Sequence, residues 1–226
     1  MQEEDGYGHR PNIGMRGSGL ERCAKINMME DGVLIAPAPY SSPAAYYSPT
    51  AGRMESFEIR KGSSQIKYGP HSTGGAINYV SASIPHHLDF QGTISIGEYG
   101  TRIAKFKTGM SSSNYGLMFQ THLDNAGGFK QIDGGGDSGY DKKDFLLKAR
   151  INTDSDFAAL EVKISQTEEL SHETYLGLTK VDFEENPYRR YSASKNDKMD
   201  ADHDQITVTG AVKVLSNLDI TSTLYN

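Results

Sequence analysis

Residues 54–80 read MESFEIRKGSSQIKYGPHSTGGAINYV, and the order of signals within them decides the fold. Phe57 and Ile59 alternate with Glu58 and Arg60, the period of a half-buried strand. Gly62 breaks that run, and Ser63 is placed to cap a short helical turn over residues 65–67. Tyr68-Gly69-Pro70 ends the turn, because glycine tolerates positive φ and proline cannot continue a helix. Gly74-Gly75 bends the backbone again, and Ala76-Ile77-Asn78-Tyr79-Val80 resumes as strand.

On the N-terminal side the elements are short. Residues 13–17 (IGMRG) and 26–35 (INMMEDGVLI) read as strands, the second folded at Asp31-Gly32, a hairpin-type turn signal. Residues 36–49 (APAPYSSPAAYYSP) form a loop stiffened by Pro37, Pro39, Pro43 and Pro49. Residues 81–87 read as a linker. Beyond them the pattern changes to alternation. Leu88, Phe90, Ile94 and Ile96; Tyr115, Leu117, Phe119 and Leu123; Phe145, Leu147, Ala149 and Ile151; Ala158, Leu160, Val162 and Ile164; Ile206, Val208, Val212 and Val214; and Leu218, Ile220 and Leu224 each alternate with polar neighbours. With a less regular strand over residues 101–109, seven strands are expected. Each has roughly the nine to eleven residues that a tilted strand needs to cross a bilayer. Short connections near residues 111–114, 154–156 and 216–217 alternate with long ones at 125–143 and 167–204, apart from a short first hairpin at 98–101. That parity is the one an outer-membrane barrel shows.

Composition excludes several classes. The net charge of −6 offers no basic field for nucleic acid. The single cysteine, Cys23, has no partner for an internal disulfide and no metal-site spacing. No stretch of about 18 or more apolar residues encodes a membrane-spanning helix. That excludes helical membrane proteins only, since a barrel hides its apolar residues at every second position.

The combined order of Glu58, Lys61-Gly62, Tyr68-Gly69-Pro70 and Gly74-Gly75-Ala76-Ile77-Asn78 resembles the end of the plug domain of TonB-dependent outer-membrane receptors. Met15-Arg16-Gly17 and Met29-Glu30-Asp31-Gly32-Val33 match motifs near the start of that plug. The run from Pro11 to Gly17, residues 29–40, Tyr175-Leu176-Gly177-Leu178-Thr179, Asn186-Pro187 and Arg190-Tyr191 are similar to the ferric dicitrate receptor-like branch. The resemblance implies a mainly β chain: an α+β plug (C-terminal part) over residues 1–85, then the first antiparallel strands of a large transmembrane β-barrel over residues 86–226. Such barrels are plugged and have about 22 strands. The first ten residues are acidic and lack the apolar core of a secretion signal, so the resemblance makes the chain a fragment without its leader or TonB box.

The resemblance also implies a function and its residues. The receptor lies in the outer membrane of a Gram-negative bacterium, contacts outer-membrane lipid, and takes up a scarce ligand, above all a ferric chelate such as ferric citrate or another siderophore. The TonB-ExbB-ExbD complex supplies the energy. Arg22 and the loop residues Tyr40, Ser41, Ser42, Tyr46 and Tyr47 fall where the plug has its apices, and are the expected ligand contacts. Arg16, Glu58 and Lys61 are the expected plug–barrel ion-pairing charges; their other reading is solvated strand charge. Lys61 stands where arginine is usual and lacks its planar fork. Gly62, Tyr68, Gly69, Gly74, Gly75 and Asn78 form the plug signature.

No cofactor, metal site or enzyme is implied. His86 and His87 point to opposite faces of an extended linker, and His71 adds no closed ligand set. Asp133-Gly134-Gly135-Gly136-Asp137 matches a calcium loop in composition alone and reads as a flexible loop tip. The rival reading is a secreted or surface β-protein that binds carbohydrate through the tyrosine-rich loop; a third keeps the family with a vitamin, another metal complex or a glycan as ligand. The outward face of the strands separates the first two. A barrel wall needs apolar residues facing lipid, whereas a soluble lectin needs one buried face.

Overall fold

A computed structural model describes residues 2–3, 7–35, 46–61, 74–153 and 157–226. Its contacts divide the chain into two compact units, Met1–Ser83 and Ile84–Asn226.

The first unit is built on a mixed sheet. Strands β1 (Gln2–Glu3) and β2 (Pro11–Asn12) form a small antiparallel pair outside it. The main sheet has the order β4-β3-β6-β5, with β3 Ile26–Glu30, β4 Val33–Leu34, β5 Met54–Arg60 and β6 Gly75–Ser81. The β3–β4 hairpin turns at Asp31 and Gly32, both at positive φ (50° and 81°), as a tight primed turn requires. β3 then pairs parallel with β6, which pairs antiparallel with β5. Met15, Cys23, Ile26, Met28, Ile35, Ile77 and Tyr79 form the core, with Ile13, Tyr47 and Met54 against it.

Three expectations change here. Residues 13–17 are not a strand: Arg16 and Gly17 sit at positive φ in a turn closed by Ser18 N–H donating to Met15 O (3.1 Å). β5 is an edge strand exposed on both faces, so Phe57 and Ile59 are not half-buried, although Phe57 lies edge-on against Tyr79 at 5.1 Å. The bend at Gly74 is required by space rather than by torsion. A Cβ there would meet Ser18 Oγ at 2.7 Å, Lys25 O at 2.9 Å and Ile26 Cγ2 at 3.1 Å. Gly75, at φ 156°, opens β6. The turn expected over residues 65–67, with Gly62, Tyr68 and Gly69, lies outside the described residues.

The second unit is a seven-stranded antiparallel meander of the order β15-β14-β12-β11-β9-β8-β7. Its strands are β7 Asp89–Ile96, β8 Arg102–Ser111, β9 Tyr115–Ala126, β11 Tyr140–Asn152, β12 Ala158–His172, β14 Lys198–Leu215 and β15 Leu218–Tyr225. The seven expected strands are present, but β11, β12 and β14 run further than their apolar alternation. β12 has 15 residues and β14 has 18, so the long connections shrink to residues 127–139 and 173–197. These hold two-residue strands β10 (Gln131–Ile132) and β13 (Arg189–Arg190), one α-helix, α1 (Lys180–Glu185), and a 3-10 turn over Ser192–Asn196. Residues of the expected linker join the meander, since Ser111 Oγ donates to Pro85 O at 2.9 Å.

Because the Gly74 site is closed on three sides, Gly74→Ala should destabilise the first unit by about 1–3 kcal/mol, the usual cost of overpacking. Denaturant unfolding followed by a plug-specific probe measures this; an unchanged midpoint contradicts it.

Candidate functional site: a plug surface and a two-faced wall

Of the plug signature residues that are described, Asn78 reaches the hairpin turn. Gly32 N–H donates to Asn78 Oδ1 (2.8 Å), and Asn78 Nδ2 donates to Glu58 Oε2 (3.3 Å). Asp31 caps the end of β6 by accepting from Ser81 N–H (2.9 Å) and Ser81 Oγ–H (2.5 Å). Asn78 therefore stitches β6 to the β3–β4 turn on one side and the β5 edge on the other. Arg16 is exposed on its own turn, Lys61 is exposed at the end of β5, and Glu58 has Arg60 at 3.9 Å. Of the three charges expected to hold the plug, Glu58 joins this cluster.

The buried ion pair of this unit is another one. Arg53 and Glu30 are each 1% exposed and bind through both arms, Nη1 to Oε1 at 2.9 Å and Nη2 to Oε2 at 2.8 Å. Glu30 ends β3, whose five residues are all buried, and Arg53 ends the turn that precedes β5. A buried carboxylate is tolerated when paired and hydrogen-bonded, and the planar guanidinium meets it in a fork. The pair ties the two segments that flank the proline-rich loop. Sequence reading missed it, although a glutamate closing an apolar strand was the available signal.

The expected ligand contacts divide. Arg22 is half-buried at φ 45°, and its backbone N–H donates to Asn12 Oδ1 (2.7 Å). The adjacent Cys23 is fully buried; its thiol donates to Pro11 O (3.1 Å) and its sulfur accepts from Ile13 N–H (3.3 Å). Tyr46 is exposed, whereas Tyr47 packs against the core. Tyr40, Ser41 and Ser42 lie outside the described residues. Within the core, burial raises the Tyr79 hydroxyl above its ordinary pKa, a hydrogen bond with Ser48 opposing.

The second unit presents two chemically opposite faces. Register places Leu117, Ala149, Val162 and Val208 side by side on one face, with Phe119, Leu147, Ile164 and Ile206 in the next row. This face continues through Phe106, Ile94 and Ile96 on β8 and β7. Ile94 and Ile96 are about four-fifths exposed. The opposite face carries His122, Lys142, Asp144, Lys148, Lys163, Thr167 and Glu169, all buried. Lys142 Nζ lies 3.1 Å from Glu169 Oε2, and Thr167 Oγ1 donates to Asp144 Oδ2 (3.1 Å). A soluble sandwich has the reverse arrangement, apolar face buried and polar face wet. An apolar face turned outward and a polar face inward is how a transmembrane barrel is built.

The apolar face also has an edge. On β9 it runs from Tyr115 to Leu123, roughly 27 Å along the strand at about 3.4 Å per residue. A tilt of about 40° reduces that to roughly 20 Å, near the apolar band of about 25 Å in such barrels. Beyond it the same face turns to Asp141 and Lys143 on β11, Glu168 on β12, and Asp200, Asp202 and Asp204 on β14. The change falls at one height, where Phe145, Gln166 and Asp204 are register partners. The strand ends beyond that line carry residues 127–139 and 173–197, the long connections.

A plug followed by barrel-type strands defines the class. Residues 1–76 match the family model of the TonB-dependent receptor plug domain. Among solved structures, the chain is similar to the ferric yersiniabactin uptake receptor of Yersinia pestis, at 15% identity and a TM-score of 0.73, over 89% of this chain and 31% of that one. It is also similar to the ferric-catecholate import receptor of E. coli K12, in its open form, at 15% identity and a TM-score of 0.68, over 98% and 36%. A copper transporter matches at 13% identity and a TM-score of 0.67, over 95% and 32%. The chain thus spans about a third of the length of these structures, and at such identities the likeness shows the fold. Residues 1–76 match the plug-domain model, and the chain has the plug-and-barrel fold seen in TonB-dependent receptors.

Removing either partner of the buried pair leaves an uncompensated charge, so Glu30→Ala or Arg53→Ala should each cost about 3–5 kcal/mol of plug stability. Replacing both with apolar residues, Glu30→Leu with Arg53→Met, should cost less than either single change. Denaturant unfolding of the three variants checks this, and simple additivity of the single losses contradicts it.

Proposed function

We propose that this chain is part of an outer-membrane receptor that binds a ferric chelate from outside a Gram-negative cell and passes it inward, driven by the TonB-ExbB-ExbD complex. The observation that carries the reading is the polarity of the seven-stranded sheet that follows the plug in sequence. It supports a lipid-facing wall around a polar interior, and it disfavours the soluble carbohydrate-binding alternative. The plug-domain match and the likeness to siderophore receptors support iron uptake as the class of transport. Because a copper transporter shares the fold to the same degree, the fold leaves the ligand open, and the choice rests on chemistry.

A ferric carboxylate complex is anionic. In this reading the guanidinium of Arg22 meets its carboxylates, and the tyrosine- and serine-rich loop that includes Tyr40, Ser41, Ser42 and Tyr46 supplies rigid contact area and hydrogen bonds. Arg22 holds a left-handed backbone conformation, which is uncommon for a non-glycine residue and recurs at functional turns. The resemblance of residues 29–40 and 175–179 to the ferric dicitrate branch makes ferric citrate the first ligand to try. Tyr47, anchored in the core, positions the loop rather than touching the ligand.

The test is ferric citrate binding to outer membranes containing the receptor that carries this chain. Arg22→Ala should weaken binding about tenfold or more, since a charged hydrogen bond contributes about 1.5–3 kcal/mol. The loss should be largest at low salt, where screening is weakest. Tyr46→Ala should weaken binding at both salt levels, and Tyr47→Phe should leave it unchanged. Unaltered affinity in both the Arg22 and Tyr46 variants, with the receptor inserted normally, overturns the placement of the site.

A further inference from the structure

The two long connections of the second unit, 127–139 and 173–197, are bound to each other by a network centred on Arg189. Its Nε donates to both oxygens of Asp133 (3.1 Å each), and its Nη2 donates to Asp133 Oδ2 (3.0 Å). Its Nη1 donates to Asp182 Oδ1 at 2.6 Å. One guanidinium thus joins a carboxylate of the first connection to a carboxylate of the second. Asp182 is itself fixed. Its Oδ2 accepts from Tyr191 Oη–H (2.5 Å) and Thr179 Oγ1–H (2.6 Å), and its N–H donates to Thr179 Oγ1 (3.2 Å), the N-cap of α1. The hydrogen bonds from Thr179 and Tyr191, with Arg189 adding to them, hold its carboxyl below the usual range, so it is ionised at neutral pH. Hydrogen bonding and charge from Asp133 raise Arg189 correspondingly.

The backbone follows the side chains. β10 and β13 pair in parallel, with Gln131 N–H donating to Tyr188 O (2.7 Å) and Asp133 N–H to Arg190 O (2.8 Å). Asn186 Nδ2 donates to Gln131 Oε1 (3.1 Å), and the Phe129 ring stands edge-on to Tyr188 at 6.3 Å. A ribbon of two two-residue strands has too few hydrogen bonds to persist alone in water. Single exposed ion pairs contribute little, whereas a bidentate arginine shared by two fixed carboxylates is the geometry in which they count. The network thus reinforces the ribbon, and the tip over residues 133–137 is held at Asp133.

We propose that residues 127–139 and 173–197 form a single cap on the wall, latched by Arg189 between Asp133 and Asp182, that opens and closes as one body. A ligand or neighbouring loop that engages either connection then acts on both.

Hydrogen exchange on the chain in detergent micelles tests this. In Asp133→Asn and in Arg189→Gln, amide protection should fall at least tenfold in both connections together, with the strand amides of residues 145–151 unchanged. The double variant should exchange no faster than Arg189→Gln alone, since each change opens the same latch. Arg189→Lys should not restore protection, because an ammonium cannot span both carboxylates as the fork does. A variant that loosens only the connection carrying the substitution overturns the proposal. If a variant also loses strand protection, the unmodified chain decides. Under rising denaturant the amides of Gln131, Asp133, Phe183 and Asn186 should open at one common midpoint, and separate midpoints for the two connections overturn it.

Discussion

Inside hydrocarbon a backbone N–H or C=O has no water to bond, so every such group must be satisfied by the chain itself. The inner strands of the meander, β8, β9, β11, β12 and β14, meet that constraint by pairing on both sides, residue by residue, across the apolar band, while β7 and β15 are paired on one side. Once the backbone is satisfied, the side chains must divide. Those at Leu117, Leu147, Ile164 and Ile206 are free to face lipid because their immediate neighbours, Met118, Lys148, Lys163 and Thr207, turn to the other face. The buried charges at Lys142, Asp144 and Glu169 are affordable there because they lie among hydrogen-bonding partners, not in a dry core.

The plug meets a different constraint. Its sheet is small, its edge strand β5 is exposed, and its apolar core is confined mainly to β3, β6 and the turns above them. Arg53–Glu30 supplies a directional contact that a short apolar cluster does not, joining the end of β3 to the turn before β5. Asn78 and Asp31 do the same at the hairpin, using amide and carboxylate groups to hold backbone N–H groups at Gly32 and Ser81. Asn78, one of the expected signature residues, thus acts through hydrogen bonds as much as through turn geometry.

The seven strands were legible because alternation has a period of two, and one face of each strand is apolar over the membrane-deep part. Their length was not. In residues 141–144 (DKKD) both faces are polar, and in 198–204 (KMDADHD) one face is charged and the other holds only Met199, Ala201 and His203, so no apolar alternation separates an extended strand from a loop. The cap was hidden for a related reason. Asp133 and Arg189 are 56 residues apart, and only the register of β11, β12 and their neighbours brings them together. Arg53 gave no signal in the sequence, since its partner, Glu30, lies across the proline-rich loop. The Asp31-Gly32 turn was legible because it depends on two adjacent residues.

The central claim is that the seven-stranded sheet is a wall with lipid on its apolar face. It is tested most directly by spin labels attached one at a time to cysteines at positions 144–151, in a Cys23→Ser background, with the protein reconstituted in lipid bilayers. Accessibility to oxygen, which concentrates in lipid, should be high at 145, 147, 149 and 151 and low at 144, 146, 148 and 150. Uniform accessibility along the strand, or high oxygen access at the even positions, would contradict the account.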